Sequence, residues 1–145
     1  MLARLEADLK IALKSGDRRR VATLRLLLSA LKNEKIQLQR DLTDEEIEAA
    51  IRRAVKQRRE AIEQYERGGR RDLVEAETEE LAILQAYLPQ ELSEAEIEQS
   101  IRSIAAEKGF SSAKDVGLAM KELMARYRGR VDGKRAQEIA RRLLS

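Results

Sequence analysis

Leu84-Gln-Ala-Tyr-Leu-Pro-Gln-Glu-Leu-Ser93 is the stretch where the chain changes character. It holds Pro89, the one proline among 145 residues. A proline pushes the residue before it out of the helical region, so a helix running into Leu88 is expected to stop there. Ser93 can then start another. Ser93 and Glu96 have the spacing of a capping box, in which the hydroxyl accepts from the Glu96 amide and the carboxylate reaches back to the Ser93 amide. Leu92 and Ile97 stand where a hydrophobic staple would close across that cap. The segments on either side differ in length, composition and turn chemistry. The stretch therefore reads as a joint between domains 1–88 and 89–145 rather than a bend inside one core.

Toward the N-terminus the pattern gives four helices. Leu2, Leu5, Leu9 and Leu13 recur at helical spacing over residues 2–14. Ser15-Gly16-Asp17 supplies a left-handed stop and a new cap. A second helix runs from Arg18 to about Gln39 with Val21, Leu24, Leu27, Leu28 and Leu31 as its stripe. Thr43 with Glu46 repeats the capping box, and Leu42 with Ile47 the staple. The third helix follows Ile47, Ile51, Val55, Arg58, Ile62 and Tyr65 to Gly68-Gly69. The fourth, Arg70 to Tyr87, uses Leu73, Ala76, Leu81, Leu84 and Leu88.

Beyond Pro89 come three more. Ile97, Ile101, Ile104 and Ala105 line the fifth, which Lys108-Gly109 closes with a cation followed by a glycine. Phe110 is expected to plug a corner of a small core. Ser112 caps the sixth, with Asp115 at the third position and a stripe of Val116, Met120, Leu123 or Met124, and Tyr127. Gly117 within it costs about 1 kcal/mol relative to Ala, which implies that another backbone passes close. Asp132 caps the seventh, whose stripe is Ala136, Ile139, Ala140 and Leu143. The expected fold is all-α, an N-terminal four-helix domain followed by a small three-helix C-terminal domain.

Composition narrows the chemistry. Aromatics are 3% with no Trp, so the core must be aliphatic. Without Cys there is no disulfide, thiolate nucleophile or zinc–thiolate site. Without His the commonest general base and transition-metal ligand are missing. No glycine-rich loop follows a strand, so neither nucleotide-binding fingerprint applies. Glu75, Glu77, Glu79 and Glu80 have the chemistry for a hard cation, but no calcium-loop spacing accompanies them and a solvated acidic face is the stronger reading. No catalytic residue, cofactor or metal is therefore assigned. No apolar run is long enough to span a bilayer, and the first residues are unlike a secretory signal, so a cytoplasmic location away from membranes is expected.

Charge is uneven. Residues 1–40 carry 10 basic and 4 acidic side chains, residues 41–108 carry 10 and 18, and residues 109–145 carry 9 and 4, so both ends are basic around an acidic middle. Such asymmetry suits a polyanion partner, or opposite faces that neutralise each other within the fold. Arg18, Arg19, Arg20 and Arg25 read first as a solvated face paired with acids of the middle segment, with a phosphate-facing patch as the functional alternative. The turn Gly129-Arg-Val-Asp-Gly-Lys134 places Arg130 and Lys134 around a helix N-terminus, where free amides and the dipole favour anions. Asp132 is expected to occupy those amides as the cap, leaving direct contacts to side chains. Lys114, Lys121, Arg126, Arg128, Arg141 and Arg142 extend the basic surface. Contacts of this kind hold phosphates and carry little sequence information.

These motifs carry a resemblance. Tyr87-Leu-Pro89, Leu92-Ser93, Ser112-Ala-Lys114-Asp115-Val116-Gly117-Leu-Ala-Met120 and the turn 129–134 resemble the GatB/YqeY family, as does Arg25-Leu-Leu-Leu-Ser-Ala-Leu-Lys-Asn33. That family comprises free-standing relatives of the tail domain in the B subunit of the glutamyl/aspartyl-tRNA amidotransferase. The resemblance covers essentially the whole chain. Val131 stands where the family often has Ala, and Gln137 where Asn is common. The resemblance implies tRNA as partner, with an aminoacyl-tRNA synthetase or amidotransferase beside it, and a link to carbon–nitrogen ligases that use glutamine as amido donor. It implies no independent activity, since the catalytic parts of that enzyme lie outside the tail. The expected function is a tRNA-binding accessory module whose nucleic-acid-binding residues are Lys114, Lys121, Arg128, Arg130 and Lys134. The alternative is a protein–protein interaction adaptor.

Overall fold

The caps decide where the helices begin. In a computed structural model describing residues 1–145, the chain forms seven α-helices and no strand. They are α1 (Leu2–Ser15), α2 (Arg18–Leu38), α3 (Asp44–Arg67), α4 (Arg71–Gln85), α5 (Glu94–Lys108), α6 (Val116–Arg126) and α7 (Gly133–Leu143). Both capping boxes form: Thr43 and Ser93 each accept from the amide three residues on, and Glu46 and Glu96 each return the bond. Asp17 caps α2 by accepting from the Arg20 amide. Gly16 closes α1 in the left-handed region at φ 74°, where any other residue carries a Cβ penalty.

The chain divides into two compact units, Met1–Leu88 and Pro89–Ser145. In the first, α3 and α4 form the most extensive helix pair, α1 packs on α2, and α2 also touches α3 and α4. Its core is aliphatic, with Leu5, Leu24, Ile51 and Leu84 fully buried. Each such side chain contributes about 1.5–3 kcal/mol through burial. The stripe of α1 is displaced from the leucine pattern. Leu5 and Ala12 are buried, while Leu13 is 48% exposed and Leu2 also faces outward. One buried neighbour per turn suffices for a helix that packs chiefly on α2.

Helix α4 stops earlier than the leucine spacing suggests. The amides of Tyr87 and Leu88 bond the carbonyls of Leu84 and Gln85, three residues back, which tightens the last turn and swings Tyr87 into the core. Arg58 of α3 is the polar exception in this unit. Its side chain is only 14% exposed and bridges Glu77 and Glu80 of α4, with 2.9 Å to Glu77. So two of the acids read as a solvated face are held by one guanidinium. Arg19 likewise pairs with Glu79 at 3.0 Å. The basic start of α2 is thus partly paired with acids of the middle segment.

In the second unit α5, α6 and α7 pack on one another around Ile97, Ile101, Ile104, Leu123, Ala136 and Ala140. Phe110 and Leu92 are half-buried against this cluster. Ser112 caps a 3-10 turn, Ala113–Asp115, that leads into α6; the Asp115 carboxylate accepts from the amides of Ser111 and Ser112. Gly117 contradicts the expectation of a close backbone. A Cβ there would meet nothing within 4 Å, because Gly117 lies on the exposed side of α6.

Candidate nucleic-acid interface

The sequence places five cations at this interface, and the fold sorts them into two places. Lys114, Lys121 and Arg128 recur every seven residues, and all three are exposed. Lys121 stands on α6, Lys114 in the 3-10 turn before it and Arg128 in the turn after it. Leu118, 56% exposed, and Met124 lie between them, with the bare Gly117 beside Leu118. The row is therefore apolar as well as cationic.

Arg130 and Lys134 belong to the turn between α6 and α7. Gly129 takes φ 76°, and the Arg130 amide bonds back to the Tyr127 carbonyl at 2.9 Å. The Arg130 carbonyl accepts from the Leu92 amide at 2.8 Å, and its Nε donates to the Gln90 carbonyl at 2.9 Å. Arg130 is thus fastened to the segment just after Pro89 at both its backbone and its side chain. Asp132 accepts from the Lys134 amide at 3.2 Å and sets its own negative charge at the start of α7, which disfavours an anion there. Contacts at this turn come from side chains.

Other cations that extend the basic surface in the sequence are partnered. Arg126 pairs with Glu107 at 2.6 Å and Glu122 at 3.2 Å. Glu107 first and Glu122 after it hold the Arg126 guanidinium above its ordinary value, and Arg126 pulls the Glu107 carboxyl down. Arg142 pairs with Glu98 at 3.2 Å. Residue spacing cannot reveal such pairing across helices, because Glu98 and Glu107 come from α5. A polar groove beside Arg130, lined by Gln99, Ser100, Ser103 and Tyr127, also escaped the sequence reading. Uncharged polar residues on an amphipathic helix give no signal of their own.

A small all-helical protein whose second unit carries a cationic side is the class these features define. The chain belongs to the YqeY family: the family model described as Yqey-like protein matches residues 2–144. Among similar proteins is "Altered inheritance of mitochondria protein 41, mitochondrial" of Lachancea thermotolerans, 37% identical over 109 residues, covering 73% of this chain and 58% of that one. The protein of the same name in Pyrenophora tritici-repentis is 31% identical over 147 residues, covering 96% and 80%. In Eremothecium gossypii it is 36% identical over 88 residues, and this chain spans 48% of its length. These matches overturn the expectation of a cytoplasmic location, since the relatives are named as mitochondrial proteins. First residues unlike a secretory signal do not separate the cytoplasm from an organelle. No helix is long and apolar enough to cross a membrane.

Proposed function

We propose that this YqeY-family protein is a tRNA-binding accessory module that acts beside an aminoacylation or transamidation enzyme and has no catalysis of its own. The second unit serves as the tail-like tRNA-holding domain, and Lys114, Lys121, Arg128, Arg130 and Lys134 meet phosphates. The observation that carries the reading is the exposed row Lys114, Lys121, Arg128, with Arg130 fixed just beyond it. Cations held at intervals along a helix and the turns at its two ends can meet a backbone of repeated phosphates, and each contact releases counterions. Titration of tRNA at several salt concentrations tests it. Affinity should fall steeply as salt rises; binding that ignores salt, or none at low salt, overturns it.

The adaptor reading has its own support in the first unit. A cleft of about 380 Å³ is lined by Leu2, Leu28, Leu31, Leu42 and Ile47, with Lys32 and Lys35 among its lining residues. Ile36 and Leu38 nearby are 63% and 42% exposed. Apolar surface of this kind suits a protein partner. Capture of a partner that survives RNase treatment would favour the adaptor; loss of every partner on RNase treatment would favour tRNA.

A further inference from the structure

The groove beside Arg130 has a composition that phosphate contacts leave unused. It holds about 360 Å³, within the roughly 300–1,000 Å³ of small-ligand sites. One wall is α5, where Gln99, Ser100 and Ser103 fall on one face at three- and four-residue spacing. All three are uncharged and carry both donors and acceptors. Tyr127, half-buried against the core of this unit, lines the groove from just past the end of α6, and Arg130 stands at its edge. Tyr127 and Arg130 are set relative to each other by the 2.9 Å bond from the Arg130 amide to the Tyr127 carbonyl. Only Nε of Arg130 is engaged, by Gln90, so its terminal nitrogens remain as donors. Arg126 also lines the groove, but Glu107 and Glu122 occupy it. The one carboxylate in the wall, Glu96, accepts from the Ser93 amide as a helix cap and also feels the Arg130 charge, so an incoming phosphate shares Arg130 with it.

A ring, a hydrogen-bonding wall and one oriented guanidinium are what a splayed-out nucleotide requires. Single-stranded RNA is recognised by stacking unpaired bases on aromatic side chains and bonding their edges, whereas bases inside a duplex cannot reach such a groove. We propose that the groove takes one unpaired nucleotide of an RNA chain, the base against Tyr127 and the α5 wall and its phosphate on Arg130. This deepens the tRNA reading and rests on it for the source of the nucleotide.

The test uses the full chain labelled with 15N. A short single-stranded oligoribonucleotide should shift the amides of Ser100 and Ser103 on the α5 wall. Duplex RNA of equal phosphate content, and inorganic phosphate, which reach only the cations of the neighbouring turn, should leave these two in place. Ser103→Leu fills the groove from an exposed position; it should weaken the oligonucleotide about tenfold while keeping the wild-type melting temperature. The proposal is overturned if duplex or phosphate moves those amides as strongly, if the single strand moves none of them, or if a folded Ser103→Leu binds as the wild type does. A parallel tRNA titration separates the two ideas. Salt-dependent tRNA binding that leaves these amides unmoved removes the pocket and keeps the phosphate contacts. Oligonucleotide shifts without tRNA binding remove tRNA as the source and keep the pocket.

Discussion

The Tyr87 hydroxyl donates to the Asp8 carboxylate, joining the turn before Pro89 to the first helix. The ring is buried, and the Arg4 guanidinium lies 4.7 Å from its centroid. Burial first, and then the bond to Asp8, push the phenol up to about 12. In the unfolded chain it titrates near its ordinary 10.0. The folded state therefore binds this proton more tightly, and the stability it adds is complete below pH 10 and is lost as pH rises toward about 12. Urea unfolding across that window should fall more steeply for the wild type than for Tyr87→Phe. At neutral pH Tyr87→Phe should cost about 1–2 kcal/mol, since Asp8 loses a donor. Parallel alkaline slopes for the two proteins would contradict the assignment.

Arg58 is the costliest polar group to disturb in the first unit. It bridges Glu77 and Glu80 largely out of solvent, and its Nε is buried without a partner. Removing one member of a desolvated ion group leaves the others uncompensated, which costs more than the intact group contributes. Arg58→Met should therefore destabilise by about 2–4 kcal/mol. Adding Glu77→Leu and Glu80→Leu to it should restore most of the loss, because no stranded carboxylate remains. Chemical denaturation of the single and triple variants decides it; a triple variant less stable than Arg58→Met would show that the ion group is itself strongly favourable.

The pairing pattern among the C-terminal cations gives a contrast for RNA binding. Lys121 and Arg128 are exposed on the row along α6, whereas Arg126 and Arg142 are already matched to glutamates of α5. Lys121→Ala and Arg128→Ala should each lower the slope of log affinity against log salt by about 0.7–0.9, the value of one lost phosphate contact. Arg142→Ala should change it little. Fluorescence anisotropy with labelled tRNA measures all three. Equal effects from Arg128 and Arg142 would mean that net charge, rather than the row, drives binding.

What was legible in the sequence follows from how local each signal is. Caps need only three or four residues, so Thr43 with Glu46, Ser93 with Glu96 and the glycine stop at Gly16 could be read directly, and the helices between them followed. The all-helical class and the family were legible for the same reason: they rest on short motifs in order. Side-chain fates across helices were not. Leucine spacing put Leu13 in the core, yet Ala12 took that place. Four clustered glutamates looked solvent-facing, yet Arg58, nineteen residues before Glu77, reached two of them. The polar groove on α5 needed Tyr127 and Arg130 brought alongside Ser100 and Ser103, which only the packing of α5 against α6 and α7 supplies.

Gly117 offers a test of the exposed face itself. It is the second residue of α6, continuing a 3-10 turn into the helix, and a Cβ added there meets no atom within 4 Å. Gly in a helix interior is unfavourable by about 0.8–1.0 kcal/mol relative to Ala, because the unfolded chain loses more freedom on folding. With no contact to offset that gain, Gly117→Ala in this first turn should stabilise the protein by about half that amount or more. Thermal unfolding should show a higher midpoint. If the bare surface beside Leu118 and Lys121 admits a close ligand backbone, the same variant should weaken tRNA while it raises stability. A variant that stabilises and binds tRNA as before would make the glycine incidental to the interface, and one that destabilises would mean that α6 is more crowded at this position than the structure shows.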